Sequence, residues 1–513
     1  SVIQWGKSGA ITVVYGFGRS VKYVCNIPFT GFRLPDFVRL RKEGCMAEEK
    51  KDSGLQKSLQ LIFVYTVATG SIFTWVSYWD SVFFGYCGSG TWLAFGLMTL
   101  AILPTALVYS ELAPLFHTSG GELIYNTVGM NKHVGFFASW LIMAAWIAVP
   151  PAVVMAIATW VSRTFGLVLG FNAIMLIGVC ILVLVFLLSL QDVNVLVKAQ
   201  ALCLFVNIVS TLITGILILF SGHWSFSNIT DGLLKTTISP SLGIPGWIIG
   251  MALLITPYFG FETVPQMVEE GDFPIKDTKK AICGSVITCG LIYVFFYFCV
   301  AGLDSFQNLT EGTAKDGFLT ITNMQRTLGW TVWPVLYGFF SVFMGLGASI
   351  MGFWMSTVRM LYSMSEKNFL PAAFKKLNKH KQPILPNIFL LAISLIFILL
   401  MNATTFMNDF FNLMSFGCAC AYALTMVSAA RIRHKYPSWK SPNALKHGNF
   451  FTYLAMVIML LIAFFCTLGQ GIGSWMSFGV YLGVGVLLWL YMVLVRWKKS
   501  KVVIETPDGE KKY

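Results

Sequence analysis

The sequence predicts an all-α membrane protein of about twelve transmembrane helices, and three observations carry that reading. Of 513 residues, 56% are hydrophobic and only 12% charged, about half the charge of an ordinary soluble domain, and the mean hydropathy is +0.71. Apolar runs of roughly 20 residues, enough to cross a bilayer, recur along the chain. With the N-terminus inside, the outer loops hold only Arg163, Lys235, Lys315 and Arg326, while the inner loops and the start of the C-terminal tail hold twenty basic residues from Lys132 to Lys501. Basic residues collected on one side set membrane orientation, so both termini are expected in the cytoplasm. The net charge of +13 follows this asymmetry and calls for no nucleic acid partner.

Residues 1–45 read differently from the rest. They show no clear periodicity and end Arg41-Lys42-Glu43-Gly44-Cys45 before Met46-Ala47-Glu48-Glu49-Lys50. Lys42-Glu43-Gly44 permits a purine-rich ribosome-binding tract just ahead of a start codon, so 1–45 is expected to be translated leader, with a disordered basic arm as the alternative. The apolar stretch Ala10–Phe17 is too short for a convincing secretory signal. Residues 46–57 form a cytoplasmic N-terminus.

Spans are expected near 58–80, 91–112, 134–162, 172–190, 199–221, 245–267, 281–303, 330–358, 386–405, 410–430, 449–468 and 475–495. Ten core spans plus two suit a carrier built of two inverted five-helix repeats. The division is then 58–221 for the first repeat, 245–430 for the second, 449–495 for two C-terminal helices and 496–513 for a cytoplasmic tail, of which 502–513 is short and polar. Eleven cysteines, mostly within apolar segments, lack zinc or disulfide-framework spacing and read as small buried hydrophobes.

The first span of each repeat carries the informative chemistry. Ala68-Thr69-Gly70-Ser71-Ile72-Phe73-Thr74-Trp75 is small and hydroxylated where leucine would suffice, and Thr256-Pro257-Tyr258-Phe259-Gly260 combines a proline with a glycine. Helices interrupted at corresponding places in two halves point to a binding site between them; the alternative is that small residues merely let helices pack closely. Glu262 follows at once and is read as the only acidic residue inside a span. A carboxylate there normally faces a cavity, a partner or a proton path, so Glu262 is the proton-coupling candidate.

Loop motifs complete the pattern. Tyr109-Ser110-Glu111-Leu112-Ala113 precedes Ser119-Gly120-Gly121-Glu122-Leu123-Ile124-Tyr125, then Gly129, Gly135-Phe136 and Trp140. Gly260-Phe261-Glu262 leads to Glu269-Glu270 and Pro274. Ser356-Thr357-Val358-Arg359-Met360-Leu361-Tyr362 runs to Phe369-Leu370-Pro371. In order and spacing these resemble the amino acid–polyamine–organocation (APC) permeases over roughly 57–500. One residue is inserted between Ser356 and Arg359 relative to the family pattern, and Gly70-Ser71-Ile72 departs from its usual G-S-G.

The resemblance implies a leucine-transporter-type 5+5 inverted repeat and a secondary active transporter of amino acids or related small amines. Ala68, Gly70, Ser71, Thr74, Trp75, Thr256, Tyr258, Phe259, Gly260 and Trp354 are the substrate-binding candidates, with the aromatic rings able to cover an amine. Glu111 and Arg359, at inner ends of spans, are the cytoplasmic gate candidates. Asn207 falls where many members place a lysine that stands in for sodium, so it marks the ion-site position. The expected partners are a small-molecule substrate, membrane lipid and a coupling proton or sodium ion, in a monomer or homodimer. No cofactor is expected. An exchanger or sodium-coupled carrier of the same fold is the closest competing reading. A receptor would bring a soluble sensory domain. An enzyme would need a nucleophile–base pair or metal cluster, and the six histidines are scattered (His117, His133, His223, His380, His434, His447).

Overall fold

Apolar sequence without backbone partners in lipid must satisfy its own N–H and C=O groups, and helices do so within one segment. In this computed structural model the described residues are 2–5, 10–17, 20–28, 55, 57–74, 76, 78–116, 118–167, 170–233, 235, 237–238, 243–311, 318–403, 406–468 and 470–513. The chain divides into two units, 1–54 and 55–513. In the first, β1 (Val2–Trp5), β2 (Ala10–Phe17) and β3 (Ser20–Pro28) make an antiparallel meander with Val14 opposite Val2 and Val24. This strand pairing was not anticipated from periodicity.

The second unit is helical. Its elements begin with α1 (Leu61–Ile72), α2 (Asp80–Cys87), α3 (Thr91–Leu112), α4 (Gly121–Gly129), α5 (Lys132–Thr164), α6 (Phe171–Ser189) and α7 (Val193–Leu219). They continue with α8 (Gly246–Leu253), α9 (Val264–Met267), α10 (Thr278–Ala301), α11 (Leu319–Thr327), α12 (Val332–Gly338) and α13 (Leu346–Glu366), the last two joined by a π turn over Phe339–Gly345. Then follow α14 (Ile384–Ala403), α15 (Phe406–Lys435), α16 (Gly448–Thr467) and α17 (Ile472–Tyr491). Eleven helical stretches are long and apolar enough to cross a membrane among the described residues. The twelfth expected span, 58–80, appears instead as the 12-residue α1, which stops at Ile72.

Local chemistry sets the boundaries. Asn131 caps α5 by accepting from the N–H groups of His133 and Val134, both at 3.0 Å, and Asp192 caps α7 through Asn194 at 2.8 Å. α5 runs on through Pro150 and Pro151, which remove two interior donors. α1 packs on α7, α10 and α13, and α5 packs on α13 and α15. The most apolar window of α5 is 89% buried inside the protein, against 17% for α6. α5 therefore belongs to the protein core, while the leucine- and isoleucine-rich surface of α6 is suited to lipid.

The tail departs from expectation. Val503–Thr506 (β4) pairs antiparallel with Gly509–Lys512 (β5), so 502–513 is a hairpin. Pro507-Asp508 forms its tip and Gly509 takes φ +96°, the left-handed position that follows such a turn.

Candidate functional site

α1 and α8 both stop where the sequence placed interruptions. The chain leaves α1 at Phe73, and after α8 it passes through a short 3-10 turn (Thr256–Tyr258), an extended Phe259 and then Gly260 at φ +140°. The two interruptions touch. A Cβ on Gly260 would lie 2.7 Å from Ser71 Cβ, 2.8 Å from the Ile72 nitrogen and 3.0 Å from the Ala68 carbonyl oxygen. Glycine is required here twice over, for its backbone angle and for this approach.

Ending a helix in a buried setting strands carbonyls, and each needs a donor. Cys289 of α10 reaches the Thr69 carbonyl at 3.6 Å, Tyr293 donates to Ile72 at 2.6 Å, and Asn207 of α7 donates to Phe73 at 3.3 Å. Thr74 donates to the Ser71 carbonyl at 2.8 Å. The ion-site candidate Asn207 thus holds the open end of α1 with a neutral amide. Gln200, two turns earlier on the same face of α7, donates to the Val67 carbonyl at 3.4 Å and would meet a side chain on Gly70 at 3.0 Å. Its Oε1 is buried without a partner.

Glu262 is fully buried and caps the other interruption. Its Oε2 accepts from the Gly260 N–H at 2.7 Å, and its Oε1 accepts from the indole of Trp146 on α5 at 3.0 Å. Each carboxylate oxygen therefore has a donor. Thr256 bonds Ser415 of α15 at 2.6 Å. Tyr258 bonds Thr99 at 2.6 Å and the Phe95 carbonyl at 3.0 Å, and the Phe259 ring lies 6.3 Å from Tyr422. Ala68, Ser71, Gly260 and Glu262 converge. Trp354 does not join them: its indole donates to Asn387 of α14 at 2.7 Å. Trp75 lies outside the described residues.

The gate candidates are placed separately. Arg359 makes a two-pronged ion pair with Glu270, at 2.7 Å and 3.0 Å, with both side chains about 1% exposed. It is not at a helix end, since α13 continues to Glu366. The Glu270 carbonyl accepts from Ser58 and Leu59 at 3.0 and 2.9 Å, tying the approach to α1 to the same point. Glu111 pairs instead with Arg433 of α15, at 2.9 and 2.8 Å.

Sequence reasoning missed several groups. Glu262 is not the only buried acid: Glu122, Glu270 and Asp80 are buried as well. Asp80 accepts from the backbone of Leu319 and Thr320, both at 2.9 Å, and fastens the start of α11 to the start of α2. Trp146, Gln200 and Tyr293 carried only a weak signal, polar groups inside apolar runs.

The amino acid permease family profile matches residues 57–495, which takes in both interruptions and the ion pair. The chain belongs to the amino acid permease family. As a member, it is a multi-pass membrane protein with relatives of diverse cargo. It is 24% identical to the glutamate/serine transporter AimA of Bacillus subtilis (strain 168), over 78% of this chain and 75% of that one. It is 21% identical to the branched-chain amino acid permease BcaP of the same organism, over 78% and 85%. It is also 21% identical to the methylthioribose transporter of that organism, over 77% and 84%. This permease thus shares its family with proteins named for amino acids and with one named for a sugar derivative.

Proposed function

We propose that this permease is a secondary active transporter that carries an amino acid or a related small amine across the cytoplasmic membrane by alternating access, coupled to protons. The observation that supports this most is the meeting of two interrupted helices at Gly260, where carbonyls of α1 are held by side chains that can exchange for a substrate amine. Ala68, Gly70, Ser71, Thr74, Thr256, Tyr258, Phe259 and Gly260 surround or shape that meeting point, and Trp75 and Trp354 stay as aromatic candidates. Glu262 joins the cap of the second interruption to a group able to take a proton, so protonation and helix geometry are linked. The Arg359–Glu270 and Glu111–Arg433 pairs lie toward the basic, cytoplasmic end and close the inner side. Alternating access moves α1, α8 and α9 relative to α5, α13 and α15.

The test is uptake by proteoliposomes of labelled amino acids, ethanolamine and putrescine, with and without an inward proton gradient, in sodium-containing and sodium-free buffer. Uptake of at least one of them driven by the proton gradient without sodium is expected. Uptake that needs sodium favours the sodium-coupled carrier. Uptake that needs only substrate inside the vesicle favours the exchanger.

A further inference from the structure

The start of α10, at an end that the asymmetry of basic residues turns toward the cytoplasm, carries a feature that transport does not use. Lys276, Lys279 and Lys280 are all exposed and line one groove of about 600 Å³, together with Asp277, Gly284 and the Pro442-Asn443 stretch between α15 and α16. The groove is pinned from one side: the Asn443 amide donates to the Lys276 carbonyl at 2.9 Å and to the Ser110 carbonyl at 3.1 Å. Asp277 pairs with Lys280 at 2.9 Å, whereas Lys276 and Lys279 have no acidic partner among the described residues. Three lysines against one aspartate leave the lining at +2. Like charges gathered this closely repel one another, and an anion between them relieves the repulsion.

What lies beyond the lysines decides which anion fits. Lys280, Gly284, Ile287 and Leu291 recur every three or four residues and so share one face of α10. Ile287 is 43% and Leu291 67% exposed. Leu291 stands about 16 Å along the helix axis from Lys280, roughly half the hydrocarbon thickness of a bilayer. Gly284 puts no side chain between the groove and this strip. The surface therefore offers positive charge at headgroup level and an apolar track one leaflet long. A soluble anion would fill the first and leave the second bare, and an acidic protein could not follow α10 into the bilayer.

We propose that this groove binds an anionic phospholipid of the inner leaflet, with its phosphate between Lys276, Lys279 and Lys280 and one acyl chain along Ile287 and Leu291. Bound there, the lipid fastens the start of α10 and the α15–α16 connection to the inner leaflet. The same stretch of chain leads back through Glu270 to the second interruption, so the lipid anchors the far end of the segment that moves.

Lipid binding depends neither on the cargo nor on the coupling ion, so the test reads lipid rather than transport. Purified protein in detergent is titrated with dioleoyl phosphatidylglycerol and, separately, with dioleoyl phosphatidylcholine, and bound lipid is counted by native mass spectrometry. Wild-type protein is expected to bind its first phosphatidylglycerol roughly tenfold or more tighter than phosphatidylcholine. The combined variant Lys276→Gln, Lys279→Gln, Lys280→Gln is expected to bring that ratio below about two. Lys375→Gln with Lys376→Gln and Lys379→Gln removes the same charge from another exposed lysine cluster and is expected to keep the wild-type ratio. No preference in wild type, or an undiminished one in the first variant, would overturn the site. An equal loss in both variants would also overturn it, because the lysines would then act through overall charge alone. An excess of glycerol 3-phosphate is expected to leave the lipid bound; displacement would mean that the groove takes a free phosphate and not a lipid. Leu291→Gln, at an exposed position, is the second probe should the lysine variant fail to fold. It is expected to weaken phosphatidylglycerol binding, and unchanged binding would overturn the acyl track.

Discussion

Arg359 and Glu270 are both about 1% exposed, so neither can fall back on water when the other is removed. Arg359→Ala strands a buried carboxylate, which costs on the order of 3–5 kcal/mol, and the expected result is a clear drop in apparent Tm in detergent. Replacing both at once, as Arg359→Met with Glu270→Leu, removes the desolvation penalty along with the attraction and is expected to restore most of the lost stability. If the double variant were no more stable than Arg359→Ala, the pair would be contributing through its backbone surroundings rather than its charges. Gly260 is the other residue where one atom decides the outcome. A methyl group there faces φ +140° and a nitrogen at 2.8 Å, so backbone strain of roughly 1–3 kcal/mol adds to a clash with α1. Gly260→Ala is expected to abolish uptake even where enough protein folds to be purified; normal uptake would mean that the two interruptions need not touch.

The C-terminal hairpin makes its own case as an element. Val502 and Ile504 are buried, and Lys511 lies 4.1 Å over the Tyr436 ring and 4.6 Å over Trp439, two rings stacked at 4.0 Å beyond the end of α15. Lys511 also bonds Asp508 at 2.9 Å, and that bond holds the Asp508 carboxyl below its usual range. Lys511→Ala is expected to cost about 0.5–1 kcal/mol and to speed tryptic cleavage near Lys501, read by the loss of the tail on a gel. Unchanged cleavage would place the docking energy in Val502 and Ile504 alone. The sequence did carry a sign of this element, Thr506-Pro507-Asp508-Gly509 between alternating residues, but twelve residues of mostly polar character read as solvated tail. The long helices were legible because burial in lipid demands apolar runs of a fixed length, and the interruptions were legible because proline, glycine and hydroxyl groups disturb such runs. The partners of Arg359 and Glu111 were not, since Glu270 and Arg433 are distant in sequence and only packing brings each pair together. Glu122 was hidden for another reason: an acid in a loop motif looks solvated until α4 is seen to be buried.

At the scale of the whole molecule, burial of charge makes stability depend on pH. Glu122 lies between the spans, and burial above all, with the Glu262 charge adding to it, pushes its carboxyl from 4.5 up to about 8. In the unfolded chain the same carboxyl loses its proton near the ordinary value. Between those two values the folded state keeps a proton that the unfolded state has released, so stability falls as pH rises. The contribution is present in full below the unfolded value and is lost as pH passes through about 8. Glu122→Gln removes the titration while keeping a neutral side chain of nearly the same shape, and its Oε1 still meets no cation. The apparent Tm of wild-type protein in detergent is therefore expected to decline from about pH 5 to about pH 8, and the decline is expected to be less than half as steep in Glu122→Gln. A variant with an unaltered slope would mean that Glu122 is already ionised in the fold and that other groups set the pH dependence.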